Sequence, residues 1–596
     1  MIFGSAQTAI DDRLKMSEQT FVTWDGTELF YRAWLPPGRI ERALFLLHRG
    51  HEHSGRFADL VPQLGLENTA CFAWDQRGHG RSPGQRGYAP SFAAVVKDLD
   101  WFVRAMLKKH ELPMESAAIL GHSIAAVTAA AWVHDYAPPI RALVLLAPAL
   151  RVKLYVPLAI PGLRCLQQLR GHRPAFVTSY VRSTMLTHDR QEAEQYDRDP
   201  LIAKSIAVNM LLDLHDTSSR LLADAAAIQS PTLLLSAGKD WVVRLDAQRK
   251  FFNRLRSTVK RMQVFDGMHH DLVHEAGREQ IAREISGFLR DRFEQPVEPA
   301  SLVDADQRGY TKQEYDRLRQ PLPALSPKRW WFAAQRLVMS TAGRLSEGVR
   351  LGWETGFDSG KSLDYVYRNQ ARGRLLLGRW ADRSYLNAVG WRGIRQRKEN
   401  LQKLLRSAID RLHAAGRTSR VLDIAAGCGR YVLETIAELP EGMVESVVLR
   451  DRTAENLAAG RQLADALGLQ WVQFSEGDAF DETSLAAISP PANLAIVSGL
   501  YELFPDNSKV LSSLRGVAGA LREGGFLIYT GQPWHPQLEM IARVLDNRDG
   551  QRWIMRRRTQ AELDALVRAA GFEKIDMEID RFGIFTVSLA RIGSVK

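Results

Sequence analysis

A serine, a carboxylate and a histidine follow three separate apolar runs in the first half of the chain. Ser123 lies in AAILGHSIAAVTAAAWV, where Gly121 suits a sharp strand-to-helix turn and Ala125 stands at the second glycine of the pattern G-x-S-x-G. Asp240 follows LLLSAG, and His270 follows VFDG. Histidine can accept and return a proton near neutral pH, and a carboxylate fixes its tautomer. The three residues predict a nucleophilic triad that attacks an acyl carbonyl.

The oxyanion formed by such an attack needs backbone N–H donors. We expect one from Ile124, at the start of the following helix, and the other from Gly50 in the loop LLHRGHEHSGRF. His269 competes with His270 for the role of the base. Adjacent loop residues point in different directions, so only one of the two is expected to face Ser123.

Acids and glycines also follow apolar runs in the second half of the chain. Asp423 follows SRVL, and Gly427 and Gly429 come next in AAGCG, where the backbone can approach a ligand closely. We expect Asp423 to organise this loop or to accept a hydrogen bond from a ligand's ammonium group. Asp451 ends SVVLRD, where a carboxylate can accept from ribose hydroxyls. The pattern predicts a nucleotide-type ligand at the edge of a doubly wound sheet.

Basic residues and tryptophans are concentrated between Lys328 and Arg411. This segment has 18 Lys and Arg against 7 Asp and Glu, an excess equal to the +11 of the whole chain, and five of the 14 tryptophans. Tryptophan favours the interfacial layer of membranes and arginine pairs with phosphate, so 328–411 predicts contact with an anionic membrane. The alternative is a solvated basic helical face with its tryptophans in the core.

The composition excludes several classes of protein. A chain of 596 residues with 45% hydrophobic and 25% charged residues is globular, with room for two to four domains. No run reaches the roughly 18 apolar residues of a spanning helix, and the first 20 residues lack the pattern of a secretory signal. Cys71, Cys165 and Cys428 lie far apart, so we expect no disulfide and no metal site. We predict a cytoplasmic protein, with peripheral contact at the inner face of the membrane as an extension of that prediction.

Two regions alternate apolar strands with helical stretches and predict two α/β domains. We place the first at 17–293, with a cap at about 151–230, and the second at 330–596, with a helical extension at about 330–416. The proline-rich, charged segment 294–329 is the expected linker. The cap contains RVKLYVPLAIPGLRCL, which favours enclosure of an acyl chain or contact with a membrane, the alternative being an ordinary buried helix.

The motifs HRGHEHSGRF, AWDQRGHGRSPGQRG, GHSIA, SAGKDWVV and HHDLVHE occur in this order across the first predicted domain. Together they resemble the monoacylglycerol-lipase-like branch of the α/β-hydrolases, which also includes lysophospholipases. The resemblance implies cleavage of acyl esters by Ser123, Asp240 and His270. Arg49 and His51 replace glycines of the family's oxyanion loop. The branch also includes serine aminopeptidases, so a peptidase stays an alternative, although no acidic site for a peptide N-terminus is evident.

The run from 423 to 429 resembles the D-x-G-x-G-x-G motif of class I S-adenosylmethionine methyltransferases, with Ala425 at the first glycine. The resemblance implies a Rossmann-like fold and S-adenosyl-L-methionine as the cofactor. It also implies that Asp451 holds the ribose hydroxyls and that Asp478, beside Ala479, holds the adenine amino group.

Methyl transfer often needs a base, and three residues lie on loops that face the expected crevice: Tyr501, Glu502 and His535. Loop packing is the alternative role for each of them. The basic helical segment lies where methyltransferases commonly cover their acceptor site, so an anionic, lipid-like acceptor is expected.

Over nearly its full length the chain is similar to bacterial fusion proteins that join an α/β-hydrolase to a class I methyltransferase, as TSYVRSTMLTHDRQEAEQYDRDPL, SGLYELFPDN and GQPWHPQLE indicate. The similarity implies two activities: hydrolysis of lipid or lysophospholipid-like esters through an acyl-enzyme, and methyl transfer to an unidentified, lipid-related acceptor. The alternative is a membrane-surface binding protein with one or both sites degenerate. No nucleic acid is expected as a partner, because no stacked-aromatic module is present. The sequence does not indicate an oligomeric state.

Overall fold

A computed structural model describes residues 14–171, 173–298 and 300–593. Two compact units divide the chain, Met1–Pro299 and Ala300–Lys596. Parts of the predictions lie outside the described residues: most of the N-terminal segment, residue 172 of the cap, residue 299 of the linker, and 594–596 of the second domain. The predicted domain boundaries stay predictions.

The first unit is built on an eight-stranded sheet in the order β1-β2-β4-β3-β5-β6-β9-β10, in which β2 pairs antiparallel with both β1 and β4 and the other neighbours are parallel. The inner strands β3, β4, β5, β6 and β9 are mostly apolar and buried because helices cover both faces, whereas the edge strands β1 and β10 are more polar and more exposed. The strands of this unit are β1 (Lys15–Val22), β2 (Glu28–Leu35), β3 (Arg42–Leu47), β4 (Thr69–Trp74), β5 (Ala117–His122), β6 (Ala142–Leu146), β7 (Phe176–Thr178), β8 (Ser205–Ala207), β9 (Thr232–Ala237) and β10 (Lys260–Phe265).

The helices of the first unit follow its strands in regular alternation. They are α1 (Leu60–Leu64), α2 (Phe92–Lys109), α3 (Ile124–Tyr136), α4 (Ala159–Arg170), α5 (Arg190–Arg198), α6 (Val208–Asp224), α7 (Leu245–Arg254) and α8 (Arg278–Glu294). Short 3₁₀ helices occur at Ser54–Phe57, Met114–Ser116, Ser183–Met185, Ala225–Ala227 and Leu272–His274.

The cap region contains α4, α5, α6 and a small antiparallel sheet of two strands, β7 and β8. Helix α4, from the apolar run singled out in the sequence, has no buried residue among those described, and Leu158 and Leu169 beside or within it are about 80% exposed. Helix α4 is therefore half-buried: Ile160, Leu163 and Leu166 pack against the cluster that contains Val208 and Leu212, and its other side is exposed.

The second unit has a seven-stranded sheet in the order β13-β12-β11-β14-β15-β17-β16, in which only β17 is antiparallel to its neighbours. The strand order reverses between β11 and β14, which places the topological switch point at their carboxyl ends. The strands are β11 (Ser419–Asp423), β12 (Val444–Asp451), β13 (Gln473–Glu476), β14 (Ala492–Val497), β15 (Leu521–Gly531), β16 (Phe572–Ile579) and β17 (Thr586–Ile592).

Helices precede the sheet of the second unit and alternate with its strands. They are α9 (Ala305–Arg308), α10 (Tyr310–Arg319), α11 (Pro327–Ser340), α12 (Glu347–Thr355), α13 (Gly360–Arg368), α14 (Leu375–Leu386), α15 (Val389–Ala414), α16 (Arg430–Ala437), α17 (Ala454–Ala466), α18 (Glu482–Ala486), α19 (Asn507–Ala520), α20 (Leu538–Val544) and α21 (Gln560–Ala569). Short 3₁₀ helices occur at Ala342–Leu345 and Tyr501–Leu503.

The structure differs from the predicted linker within 294–329. Helices α9 and α10 belong to the second unit: the Asn507 N–H donates to Asp306 over 2.8 Å, and Arg556 donates to Thr311 over 3.0 Å. Leu318 is buried in the same unit. The sequence does not predict these helices because they are short and mostly polar, so their apolar periodicity is weak.

In the described part of the chain, no helix combines the length and the apolar character that crossing a bilayer requires.

Candidate active sites

Ser123 occupies a strained turn between β5 and α3. Its φ of 57° and ψ of −115° lie outside the regions that most residues adopt, as in the sharp turn that places a nucleophile at the carboxyl end of the sheet. A Cβ on Gly121 would lie 2.5 Å from the carbonyl oxygen of Ala125, so only glycine fits there. Ala125 itself is buried within α3.

The structure brings Ser123, His270 and Asp240 together. The Ser123 hydroxyl donates to Nε2 of His270 over 2.8 Å, and Nδ1 of His270 donates to Asp240 Oδ2 over 2.8 Å. All three side chains are buried, at 5% exposure or less. This arrangement can transfer a proton from the hydroxyl to the imidazole while the carboxylate stabilises the imidazolium.

Asp240 is held in its ionised form. The other carboxylate oxygen accepts from the N–H groups of Val242 and Val243, each over 2.8 Å. Burial tends to raise the pKa of Asp240, but the charge and hydrogen bond of His270 and the two N–H donors together lower it below its ordinary value. The ionised carboxylate fixes the proton of His270 on Nδ1, leaving Nε2 as the acceptor for Ser123.

His269 lies apart from Ser123. Its ring lies against that of His188, with 3.6 Å between the ring centroids, and its backbone N–H donates to the Glu275 carboxylate over 2.8 Å. Glu275 also accepts from His188 over 2.8 Å. Of the two adjacent histidines, the structure therefore brings only His270 to the serine.

Gly50 and Ile124 are neighbours in space. A Cβ on Gly50 would lie 2.8 Å from Cδ1 of Ile124, so the two predicted oxyanion donors come from adjoining residues. His51 keeps a left-handed φ of 72°, a conformation that favours the glycine it replaces. Gly50 and Ile124 line a small cavity of about 20 Å³, and Met210 and Leu214 of the cap lie opposite them.

Arg49, the other replacement in the oxyanion loop, is buried in a network of charges. Its guanidinium pairs with Glu52 at 2.8 Å and with Asp271 at 3.3 Å, and it lies over the ring of Tyr196 on α5 at 4.8 Å. Asp271 follows His270 directly and also accepts from His274 over 2.9 Å. Arg49 therefore joins the oxyanion loop to the histidine loop and to the cap.

We expect Arg49→Ala to destabilise the first unit by about 3–5 kcal/mol, because it removes the guanidinium that pairs with two buried carboxylates, leaving Glu52 with Arg56 and Asp271 with His274. Calorimetry of the full chain measures the effect as a lower midpoint for the unfolding transition of the first unit. Arg244→Ala is the matched control, since Arg244 pairs with Asp246 on the surface. Equal midpoints for the two variants would contradict a stabilising role for the buried network.

In the second unit, the loop after β11 has the backbone conformation of a ligand cradle. Gly427 and Gly429 have φ of 58° and 66°, and a Cβ on Gly429 would lie 2.4 Å from Cδ1 of Leu449. A Cβ on Gly427 would meet no atom within 4 Å, so space is open beside the loop. A ligand can approach the backbone at Gly427 closely.

Asp451 latches this loop. Its carboxylate accepts from the N–H of Gly427 over 2.9 Å, from the N–H of Thr453 over 2.9 Å and from Asn456 over 3.0 Å. A carboxylate has about four acceptor positions, so one stays available for a ligand hydroxyl. Asp478 is exposed and accepts from the N–H of Phe480 over 2.9 Å.

Asp423 is fully buried beneath the loop, with Ala425 beside it. It accepts from the hydroxyl of Tyr431 over 2.5 Å and from the N–H of Ala425 over 3.3 Å. Burial raises the pKa of Asp423 to about 7, although the Tyr431 and Ala425 donors lower it. Of the two roles predicted for Asp423, these contacts match the organiser of the loop.

The Asp423 carboxyl is expected to make the second unit less stable as the pH rises from about 4 to about 7. Its pKa is about 7 in the folded chain and 3.8 ordinarily, so below pH 7 the folded state retains a proton that the unfolded state loses above about pH 4. Asp423→Asn has no proton to lose, so its unfolding midpoint should rise relative to that of the wild type between about pH 4 and about pH 7. Asp478→Asn, at an exposed position, is the control and should follow the wild type. Parallel pH profiles for wild type and Asp423→Asn would contradict the prediction.

A cavity of about 400 Å³ lies beside the carboxyl ends of β14 and β15. This volume is in the range of about 300–1,000 Å³ typical of small-molecule sites. Most of its wall is apolar and comes from the helices that precede the sheet and from the segment after β15, including Met339, Trp380, Trp391 and Met540. Gly499 and Glu502 line the end of the cavity at the sheet.

Four buried polar atoms of the cavity wall have no hydrogen-bond partner within the described residues: Nε of Arg397, Oε2 of Glu502, Nε2 of Gln532 and Nε1 of Trp553. The other oxygen of Glu502 accepts from Arg397 over 3.1 Å. Unpartnered buried groups are rare in folded proteins, so an acceptor and three donors in one apolar cavity indicate a ligand with polar atoms of its own.

The three predicted base candidates fall in different places. Glu502 and His535 line the cavity, whereas Tyr501 does not. The hydroxyl of Tyr501 bonds to Ser513 over 3.0 Å in the core behind β14, because the 3₁₀ turn directs consecutive side chains to different sides. Tyr501 is therefore corrected to a core residue.

His535 is poorly placed to accept a proton. Its Nδ1 accepts from the N–H of Gln537 over 3.0 Å, which leaves the proton of the neutral ring on Nε2. Burial lowers the pKa of His535 to about 4, so the ring is neutral at physiological pH and is a hydrogen-bond donor toward the cavity.

The sequence did not single out Arg397, Gln532 or Trp553 as site residues. Arg397 belongs to the basic segment, in which the sequence does not distinguish it from surface charges. In the structure it is 2% exposed and pairs with Glu502. Gln532 stands in GQPWHPQ directly after β15, a position at the edge of the sheet that could have indicated it. Trp553 has no such signal.

Comparisons with known proteins agree with this two-part architecture. The chain is 48% identical over 581 residues to "Uncharacterized protein YnbC" of Escherichia coli (strain K12), covering 96% of this chain and 98% of that protein. The first half is 23% identical over 275 residues to the monoacylglycerol lipase of Mycolicibacterium smegmatis, covering 46% of this chain and 96% of that lipase. It is also 27% identical over 257 residues to human monoglyceride lipase, covering 43% of this chain and 83% of that lipase.

The folds and these matches define a chain that joins a lipase-like α/β-hydrolase unit to a methyltransferase unit, which confirms the predicted fold classes. The family model "Serine aminopeptidase, S33" matches residues 38–277. The family model described as "Putative methyltransferase" matches residues 285–592, more than half of the chain, so the chain belongs to that family.

Proposed function

We propose that the first unit is a serine hydrolase that cleaves acyl esters of lipid or lysophospholipid-like substrates. The observation that supports this most directly is the pair of 2.8 Å hydrogen bonds that link Ser123, His270 and Asp240. The apolar cap residues Met210 and Leu214 beside Ile124 favour an acyl chain. The small cavity there would have to widen, through movement of the cap, to admit one.

The proposed reaction follows an acyl-enzyme route. His270 Nε2 takes the proton of the Ser123 hydroxyl while Oγ attacks the ester carbonyl, and the N–H groups of Gly50 and Ile124 donate to the oxyanion. His270 then returns the proton to the leaving alcohol. Water, deprotonated by the same imidazole, releases the acid and restores Ser123.

A fluorophosphonate tests the nucleophile independently of the natural substrate. It should add covalently to the full-length chain, and peptide mass spectrometry should locate the adduct on Ser123. An adduct on another residue, or none, would count against the serine mechanism.

We propose that the second unit transfers a methyl group from S-adenosylmethionine to a lipid-related acceptor. The open cradle at Gly427 and the nearby carboxylates of Asp451 and Asp478 fit a cationic nucleoside donor. When bound, the donor would supply an electrophilic methyl group. Asp451 would hold its ribose hydroxyls and Asp478, with the N–H groups near Ala479, its adenine.

Glu502 is the residue that we assign as the base. Its unpartnered Oε2 faces the apolar cavity at the end next to the switch point of the sheet, where an acceptor hydroxyl or amine could donate to it. Arg397 holds the other oxygen and fixes the carboxylate. His535 would donate to the acceptor rather than deprotonate it.

Calorimetric titration of the full-length chain with S-adenosylmethionine tests donor binding. Wild type should bind, and Asp451→Ala should bind much more weakly, because it loses both a ribose acceptor and the latch on Gly427. Asp465→Ala, on an exposed position of α17, is the control. Absence of binding by wild type would reject the proposed cofactor.

We also infer that the segment 328–411 meets an anionic membrane surface. Trp330, Trp331 and Trp380 are 62–70% exposed, as membrane contact would require, whereas Trp391 is buried in the core. The cytoplasmic location stays a prediction.

A further inference from the structure

The second unit has an extended apolar surface on α11 and α14, which we name the Trp/Leu surface. It consists of Trp330, Trp331, Leu337 and Val338 on α11 and of 375–377 and Trp380 on α14, each between 60% and 84% exposed. Isolated exposed leucines are common on proteins, but eight large apolar side chains on two neighbouring elements are not. Such a surface indicates a partner.

The two helices meet at one 3₁₀ turn, Ala342–Leu345. The N–H of Arg374 donates to the Leu345 carbonyl over 2.9 Å, and a Cβ on Gly378 would lie 2.5 Å from that same carbonyl oxygen. On α11, Trp330 and Leu337 are seven residues apart, as are Trp331 and Val338, so all four share one face. Helix α11 has no buried residue.

The Trp/Leu surface is surrounded by cations. Segments 327–345 and 371–386 together contain eight Lys and Arg and one acid, Asp382, and two of the eight pair with acids outside these segments, Lys328 with Glu539 and Arg336 with Asp546. Asp382 is buried and accepts from Ser346 and from the N–H of Gly348. Within the described chain, Arg374 and Arg379 form no ion pair. The apolar groups and the free cations together match the interface of a bilayer with anionic headgroups.

The apolar cavity reaches the surface at this place. Trp380 both lines the cavity and is 70% exposed, and Met339, at the end of α11, lines the same wall. Glu502 and Gln532, with their unpartnered atoms, are at the opposite, sheet end. The cavity therefore runs from an apolar mouth to a polar end.

A second copy of this chain is a poorer occupant for the Trp/Leu surface. A twofold contact would place Arg374 and Arg379 near the same residues of the other copy, and like charges would repel. A bilayer instead offers phosphates to the arginines and acyl chains to the leucines.

We propose that the Trp/Leu surface docks on an anionic bilayer and that the cavity takes a hydroxyl-bearing lipid from it. The polar head would reach Glu502, and the acyl part would lie along the apolar wall and leave beside Trp380. The identification of this lipid as the methyl acceptor rests on the methyl transfer proposed above, whereas docking and lipid uptake do not.

Co-sedimentation of the full-length chain with vesicles tests docking. We expect binding to phosphatidylcholine vesicles with about 30 mol% phosphatidylglycerol, weaker binding without it, and release as salt rises. Arg374→Glu should lower the partition coefficient at least about fivefold, and Trp331→Ala should also weaken binding. The matched controls are Arg515→Glu and Trp471→Ala, exposed residues of the same unit away from the surface.

Docking would be overturned if wild type did not bind anionic vesicles, or if surface and control variants bound equally. Light scattering decides the alternative occupant: a dimer that Trp331→Ala dissociates, without vesicle binding, would assign the surface to a second copy.

Native mass spectrometry tests uptake of the lipid. After incubation with the same vesicles, wild type should carry a phosphatidylglycerol adduct, whereas Ser384→Trp, at the cavity wall, should bind vesicles but lose the adduct. An adduct that persists in Ser384→Trp at the wild-type level would overturn uptake through this cavity. None of these measurements uses S-adenosylmethionine, so failure of donor binding would be seen separately by calorimetry.

Discussion

Replacement of Ser123 by alanine should lower kcat for ester hydrolysis by about 10⁴- to 10⁶-fold. Without the hydroxyl, His270 has no nucleophile to activate, and only binding and the oxyanion donors still act on the ester. The measurement is the initial rate on a monoacylglycerol or a p-nitrophenyl acyl ester, together with loss of the fluorophosphonate adduct. Ala fits the buried site without new polar groups, so the fold should persist.

The adjacent histidines offer a matched control for the same reaction. His270→Ala should lose activity nearly as completely as Ser123→Ala, because residues that act as a unit are not additive. His269→Ala should retain most activity, since its ring stacks on His188 and does not contact Ser123. Equal losses for the two histidine variants, or activity that survives Ser123→Ala, would reject the proposed triad.

The first site could be predicted from sequence because its parts are local. A serine turn, an acid and a histidine each directly follow an apolar strand, and parallel strands bring their carboxyl ends to one edge. The choice between His269 and His270 could not be predicted, because the direction of a loop side chain depends on its contacts. Here it is the Glu275 and His188 contacts that hold His269 away.

The replacement of a loop glycine by Arg49 shows what motif reading misses. In the sequence it appears as a departure from the family pattern, but in the structure its charge is balanced by Glu52 and Asp271. The two partners are three and 222 residues away, and the second cannot be found by periodicity or spacing. Arg49 therefore has a positioning role: it joins the oxyanion loop to the histidine loop, although the sequence shows it only as the loss of a glycine.

The second site divides in the same way. The order of strands and the acids at their ends follow from apolar runs and glycines, so the fold and the position of the crevice could be predicted. The cavity could not, because α11, α14, α15 and the segment after β15 all contribute to it and meet only in the folded unit. Arg397 illustrates this: one of 18 basic residues in its segment, it alone pairs with Glu502.

Replacement of Glu502 by glutamine should lower the rate of methyl transfer by about 10²- to 10⁴-fold, the usual contribution of a general base. Glutamine keeps an oxygen for Arg397 but cannot take the acceptor's proton. Incorporation of label from S-adenosylmethionine into a total lipid extract measures the rate, and calorimetry should show unchanged donor binding. Thermal unfolding checks that Arg397, left without its carboxylate, does not unfold the unit.

Tyr501 provides the control, because it precedes Glu502 but points into the core. Tyr501→Phe removes only the hydrogen bond to Ser513 and should transfer methyl groups at close to the wild-type rate. If Glu502→Gln kept the wild-type rate, deprotonation of the acceptor would have to be assigned to another group. Within the described wall of the cavity, His535 could accept a proton only by giving up its bond from Gln537. A variant that removes the imidazole separates the two residues: deprotonation of the acceptor should be lost if His535 is the base and retained if Glu502 is the base.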